Sequence, residues 1–228
     1  MKHLDLYAKV ESYIGFDEAY EELYQIYLQK LSQYKIDTIL DVGCGNGNLL
    51  LHLQKVYNAQ GIDISHEMIQ IAKAKGVDAR RISLDKLTQK YDALLAVADV
   101  LNYFDADELK QFLEDIEKRL NDGGIFICDI NTLFGFEEVT AGSLSIDKEN
   151  LFIAIDSEFE DNILETKITL FEKEGDCFTK EQAEIVQYYH KIEDIEAMSS
   201  LKLLVVEEVA LFSDISDKNL LIFQKELL

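Results

Sequence analysis

Residues 39–50, ILDVGCGNGNLL, set one acidic side chain and three glycines between an apolar run and a helical pattern. A loop of this kind at a strand-to-helix joint suits a nucleotide-like ligand, because glycine permits close backbone approach and a helix N-terminus attracts negative charge. Three loop types compete for the stretch. A dinucleotide-binding loop needs G-x-G-x-x-G; Gly43 and Gly45 fit, but Asn48 stands where the third glycine belongs. A phosphate-gripping loop needs a Gly-Lys-Ser/Thr ending, which is absent here. What stands is Asp-x-Gly-x-Gly-x-Gly from Asp41 to Gly47.

The surrounding rhythm is that of a parallel sheet. TILDV (38–42), AQGIDI (59–64), VDARRIS (77–83), DALLAVA (92–98) and IFICDI (125–130) read as strands, with helical patterns between them. GNLLLHLQKVY (47–57) reads as a helix, SHEMIQIAKAKG as one opened by Ser65 and closed by Gly76, and ADELKQFLEDIEKRL (106–120) as a third. Near-continuous apolar strands alternating with helices imply an α/β doubly wound sheet. Upstream, DEAYEELYQIYLQKL (17–31) is an amphipathic helix with Asp17 as N-cap and its tyrosines as packing residues. Beyond Asn131 the rhythm breaks. NLFIAIDSEFE, ILETKITLFEK and CFTKEQAEIVQYYH are consecutive strand patterns joined by short turns, the signature of an antiparallel meander. KIEDIEAMSS then reads as a short helix and LKLLVVEEVAL and KNLLIFQKEL as two last strands. The expected division is a core of residues 1–132 and 191–228 interrupted by an inserted antiparallel lid at 133–190.

Composition narrows the partners. The chain has 228 residues, 48% of them hydrophobic, enough for a full domain core. With 22 basic and 44 acidic residues its net charge is −22, which repels the phosphate backbone of nucleic acids. Cys44, Cys128 and Cys177 lie far apart without paired-ligand spacing, so buried free thiols are expected and no metal site. No leader pattern and no apolar run near the length of a membrane span are read, so a cytoplasmic protein with no membrane partner is expected, as a monomer or homodimer.

LDVGCGNG, followed by GIDISHEMIQIAKAKG, resembles motif I and the adjoining acidic motif of class I S-adenosylmethionine-dependent methyltransferases of the small-molecule type. The resemblance is close over about the first 130 residues and loose over the last 30. It implies a seven-stranded Rossmann-like sheet with its last strand antiparallel, and S-adenosyl-L-methionine as cofactor. Gly43, Cys44, Gly45 and Gly47 would then pass beneath the methionine part, and Asp41 would meet its ammonium group. Asp63, 22 residues on, would accept from the ribose hydroxyls, with Ile64 and Met68 beside the adenine. Where many relatives carry an acidic residue at the adenine edge, this chain departs from the pattern: Ser83 and Leu84 align there, with Asp85 close by.

The acceptor side is written less clearly. AVADVLNYF resembles the fourth-strand segment of the same family, which brings Ala98 and Asp99 beside the sulfonium, with Asn102 and Tyr103 packing the next helix. Asp99 could orient or deprotonate a nucleophile. GGIFICDINT resembles the fifth-strand segment, with Asn131 a substrate contact. At the end of the meander, VQYYHK puts Tyr188 and His190 on one face and Tyr189 on the other, so His190 and Tyr188 are candidate catalytic groups and Tyr189 a substrate contact. A chain without proline excludes the Asp/Asn-Pro-Pro-Tyr/Phe and Pro-Cys motifs of nucleic-acid base methylation. The expected function is methyl transfer to an O or N atom of a small molecule. The alternatives are a non-catalytic S-adenosylmethionine- or S-adenosylhomocysteine-binding regulatory protein and, opposed by Gly47 and Asn48, an NAD-linked oxidoreductase.

Overall fold

The computed structural model describes residues 2–227. Two helices, α1 (Lys2–Ile14) and α2 (Asp17–Leu31), precede the alternating part of the chain. Then come β1 (Thr38–Val42), α3 (Asn48–Leu53), β2 (Asn58–Asp63), α4 (His66–Ala74), β3 (Ala79–Arg81), β4 (Tyr91–Ala96), α5 (Ala106–Arg119) and β5 (Leu120–Asn131). The strands β6 (Gly142–Lys148), β7 (Leu151–Glu160), β8 (Ile163–Glu174) and β9 (Cys177–Tyr188) follow, and α6 (Ile192–Met198), β10 (Lys202–Val209) and β11 (Lys218–Gln224) complete the described chain.

Seven strands form one sheet in the order β10-β11-β5-β4-β1-β2-β3, and β6 to β9 form a separate antiparallel sheet. In the larger sheet β11 runs antiparallel to both β5 and β10, and the remaining pairs are parallel. The expected α/β sheet with an antiparallel last strand and a separate antiparallel layer is therefore present. Its two faces are covered by different clusters: Leu23, Tyr27 and Leu31 of α2 lie on one side with Ile39, Leu50 and Ile127. Leu109, Leu113 and Ile116 of α5 lie on the other with Leu40, Phe126 and Phe223. A third, smaller cluster joins Leu6 and Val10 of α1 to Ile153, Ile168, Leu170 and Ile185 of the antiparallel sheet.

Several local expectations are corrected. The antiparallel sheet has four strands rather than three; β6 is exposed at almost every position and so has no apolar alternation to announce it. The α1 helix had no counterpart in the sequence reading. Phe16, not Asp17, occupies the N-cap of α2, and Asp17 is its first helical residue, where its charge suits the helix dipole. The α3 helix stops at Leu53, short of Tyr57. Residues 121–124, between the expected helix and strand, belong to β5 and make a register shift between its pairs Tyr91–Leu120 and Ala93–Ile125. Ser65 caps α4 as expected, accepting from the Met68 N–H at 3.2 Å. Cys177 is exposed, whereas Cys44 and Cys128 are buried, and all three are free thiols. Among the described residues, no helix is long and apolar enough to cross a membrane.

One polar knot ties the elements together at the carboxyl ends of the strands. Lys218, 3% exposed, donates to Asn131 Oδ1 at 2.8 Å and Asp99 Oδ1 at 2.8 Å, and lies 3.0 Å from Asp129 Oδ2. Asp129 in turn accepts from the Ala98 N–H at 2.8 Å, the Asp99 N–H at 2.9 Å and the Tyr27 hydroxyl at 2.7 Å. Ala98 and Asp99 have φ of 62° and 54°, a left-handed pair without glycine. Each such residue costs on the order of 1–3 kcal/mol and persists only when its surroundings hold it. Removing one partner of a buried ion pair leaves an uncompensated charge. Lys218→Met is accordingly expected to lose about 3–5 kcal/mol in urea unfolding. A loss below about 1 kcal/mol would show that the knot is not structural.

Candidate active site between the two sheets

The glycine loop is fixed before any ligand is considered. The N–H groups of Gly43 and Cys44 both donate to Ile62 O, at 2.8 and 3.0 Å, which ties the loop to β2. Gly43, Gly45 and Gly47 all have positive φ. Their reasons differ. A Cβ on Gly43 would stand 2.9 Å from Val100 Cγ2, and one on Gly47 would stand 2.9 Å from Val77 Cγ2 and 3.0 Å from Ala72 Cβ. Gly47 thus serves the packing of the loop against α4, while Gly45 has only the Met68 sulfur within reach, at 3.9 Å.

This loop borders a cavity of about 1,430 Å³ enclosed by the strand ends, α1, α2 and the antiparallel sheet. Asp41 lines it at the end of β1, 2% exposed, and burial followed by the nearby Asp63 charge pushes its carboxyl up to about 7. Asp63 ends β2. Its two oxygens accept from the Gly45 N–H at 2.9 Å and the Ser65 N–H at 2.7 Å, so one carboxylate spans the loop and the start of α4. Burial nonetheless raises its carboxyl. Cys44 borders the same space with a thiol that burial and both carboxylates keep protonated. Ile64, Met68, Ser83, Leu84 and Asp85 form a further part of the lining, with the Ser83 hydroxyl bonded to Asp85.

At the end of β4 the cavity is lined by Ala98, Asp99 and Val100. Asp99 is not a free base. Its Oδ1 is paired with Lys218, and its Oδ2 accepts from Gln187 Nε2 at 2.6 Å. Burial would depress the Lys218 ammonium, but the charges of Asp99 and Asp129 outweigh it and raise the group above its usual range. Asn131 lines the cavity too, yet its side-chain oxygen is taken by Lys218.

The expectation for the end of the meander is only partly met. Strand β9 stops at Tyr188, so the alternation that would have paired His190 with Tyr188 ends there. Asn102 Nδ2 holds the Tyr188 carbonyl at 2.8 Å and the chain turns away toward α6. Tyr188 and Gln187 line the cavity; Tyr189 and His190 do not. His190 is buried against Phe104 O at 2.9 Å, and desolvation lowers its imidazole below the usual value. Tyr189 meets Phe136 edge-on, ring centroids 6.2 Å apart, and its N–H donates to Asn162 O. Asn102 also departs from expectation: it bridges Tyr188 and the Asn131 N–H, and Asp105 with Glu108 makes the capping box of α5.

Other lining residues had no motif to reveal them. Tyr7 and Glu11 come from α1, Tyr20 and Tyr24 from α2, and Tyr103 from the turn after β4. Burial raises all four phenols, which therefore stay neutral. Lys218 and Gln187 join them from β11 and β9. A lone lysine or glutamine within a strand carries no periodic signal. The tyrosines at helical spacing are packing residues as expected, Tyr27 within the core and Tyr20 and Tyr24 against it, and the last two also face the cavity.

Residues 39–124 match the family described as "Methyltransferase domain". An uncharacterized protein of Methanocaldococcus jannaschii is 31% identical over 136 residues, covering 54% of this chain and 52% of its own. The chain thus spans about half the length of that relative. A crystal structure of an S-adenosylmethionine-dependent methyltransferase from Clostridium acetobutylicum superposes with a TM-score of 0.76 at 24% identity, covering 91% of this chain and 92% of the other. A sugar N-methyltransferase from Streptoalloteichus sp. superposes with a TM-score of 0.73 at 16% identity, covering 97% and 92%. Residues 39–124 thus match a methyltransferase domain, and the chain as a whole shares the fold of these solved methyltransferases.

Proposed function

We propose that this chain transfers a methyl group from S-adenosylmethionine to an oxygen or nitrogen atom of a small molecule held in the same cavity. The observation that carries the reading is Asp41, a carboxylate 2% exposed that has no hydrogen-bond donor among the described residues and borders the glycine loop. A buried, unpaired carboxylate is costly and favours a cationic partner; the ammonium of the methionine part is one. The other residues fit the same ligand. Asp63 keeps lone pairs for ribose hydroxyls beyond its bonds to Gly45 and Ser65. Ile64, Leu84 and Met68 offer apolar surface to an adenine ring, and Ser83 and Asp85 offer polar atoms to its edge.

When bound, the cofactor supplies a methyl group on a positively charged sulfur, a leaving group that needs no protonation. The residues of this chain then have positional work: to orient the acceptor and exclude water. The Ala98–Asp99 turn, held by Asp129, sets the backbone at the end of β4, and Tyr7, Tyr20, Tyr24 and Tyr103 shield the space from the side of the helices. Among the expected catalytic groups, Asp99 is engaged as an ion pair and His190 faces Phe104, so neither is assigned as a general base. The cavity, about 1,430 Å³, exceeds the 300–1,000 Å³ typical of a single small-ligand site. Room for a second ligand favours turnover over a non-catalytic adenosyl-binding role. The net charge of −22 speaks against a nucleic-acid acceptor.

Two measurements check the cofactor assignment. Asp63→Ala is expected to weaken binding of S-adenosylhomocysteine at least about tenfold, the equivalent of roughly 1.4 kcal/mol; a folded variant with unchanged affinity would remove Asp63 from the ribose site. The second concerns Asp41. Its carboxyl, at about 7 in the folded protein against 3.8 ordinarily, is protonated between about pH 4 and 7 where an unfolded chain is ionised. Its contribution to the stability of the free protein is therefore lost as pH rises through that window. A ligand ammonium favours the carboxylate, so binding releases a proton, and affinity rises from about pH 5 to 7 before flattening. Calorimetry at about pH 6 in buffers of different ionisation heat reads the released proton, and Asp41→Asn abolishes it. No proton release by the unaltered protein would separate Asp41 from the ammonium.

A further inference from the structure

We infer that the methyl acceptor is an amine, drawn into the cavity as its ammonium ion and anchored by Glu11, and that anionic acceptors are refused. The inference rests on the proposed methyl transfer and specifies its acceptor. Among the described residues, the cavity is lined by a single cationic side chain, Lys218. That ammonium has three N–H groups, and Asp99, Asp129 and Asn131 face it at 2.8, 3.0 and 2.8 Å, so no donor is left for a carboxylate or phosphate. Asp41 and Asp63 have duties to the cofactor, and Asp99 is neutralised by Lys218. The remaining lining carboxylates are bonded or exposed: Asp85 is held by Ser83, Asp115 by Lys118 and Asp217 by the Leu211 and Phe212 N–H groups, while Asp107, Glu108 and Glu184 are exposed. Glu11 is the partly buried carboxylate left over.

Glu11 stands half-buried on the cavity wall, with Oε2 accepting from Asn46 Nδ2 at 2.9 Å. Lys75, outside the lining, acts on it only as a nearby charge, and burial raises its carboxyl. Tyr7, Tyr24 and Tyr103 line the same cavity as Glu11, and burial keeps their phenols neutral. A carboxylate that shares a cavity with aromatic side chains attracts an organic ammonium by charge, and the ring quadrupoles add to that attraction. In the reaction the ammonium first gives a proton to water. The nitrogen lone pair then forms the N–C bond, and the electron pair of the broken C–S bond stays on the sulfur, leaving an N-methylammonium product.

The test uses the full chain saturated with S-adenosylhomocysteine and two matched probe series, benzylamine, benzyl alcohol and benzoate, and glucosamine, glucose and glucuronate. In at least one series the amine is expected to bind at least about tenfold tighter than the alcohol, with the acid undetectable. An amine that leads in neither series, or an acid that binds as well as its amine, overturns the inference while S-adenosylhomocysteine binding leaves the methyltransfer reading intact. Absence of S-adenosylhomocysteine binding fails that reading itself, and this inference with it. Glu11→Gln is expected to reduce the amine-to-alcohol preference at least about fivefold. A preference unchanged in a variant that still binds S-adenosylhomocysteine overturns the assignment of Glu11.

Discussion

The buried ammonium of Lys218 is the interaction on which the site depends. It neutralises Asp99 and Asp129 in one place, and Asp129 spends its remaining lone pairs on the two backbone N–H groups of a left-handed turn. The backbone at the end of β4 would relax to ordinary φ values if those bonds were lost. Through Asp99 the same ammonium reaches Gln187 of β9, and through Asn131 it reaches β5. One side chain from β11 therefore aligns the parallel sheet with the antiparallel one at the point where two ligands would meet. Continuum reasoning makes buried ion pairs weak sources of net stability, and the distribution of bonds here suits geometry better than stability.

What the sequence disclosed was local. The glycine loop, Asp41, Asp63 and the Ser65 cap each lie within a few residues of the feature that identifies them, and the structure brings Asp41, Asp63 and the loop to one cavity. The alternation of apolar strands and helices was equally readable, because a strand buried on both faces has nowhere to place polar residues. What failed needed distant partners. His190 lies two residues beyond the end of β9, and a period-two extrapolation cannot see that the partner strand β8 begins opposite Tyr188 and offers no pair beyond it. Lys218 sits between Asp217 and Asn219 with nothing local to mark it, since its three partners come from β5 and from the end of β4. Strand β6 escaped because it has no apolar face to show.

The division of acidic residues also gives the cavity a direction. Asp41 and Asp63 lie at the ends of adjacent strands, and the charge of Asp63 raises the cost of ionising Asp41. Past the end of the neighbouring strand β4, Asp99 has the Lys218 ammonium as a fixed partner. The β1–β2 side of the strand ends is thus poised to exchange a proton with its ligand, whereas the β4 side is already ion-paired.

The small cluster that joins α1 to the antiparallel sheet has a dynamic meaning. Leu6 and Val10 bury themselves against Ile153, Ile168, Leu170 and Ile185, and none of these residues belongs to the two clusters that sandwich the larger sheet. Swinging this helix away would expose a few aliphatic side chains and leave both principal cores closed. Amide protons in α1 would then exchange through a partial opening of lower free energy than global unfolding, and a ligand bridging Glu11 and the glycine loop would slow that exchange. The cover of the cavity is in this sense a separate foldon, whose stability can be adjusted without weakening the fold beneath it.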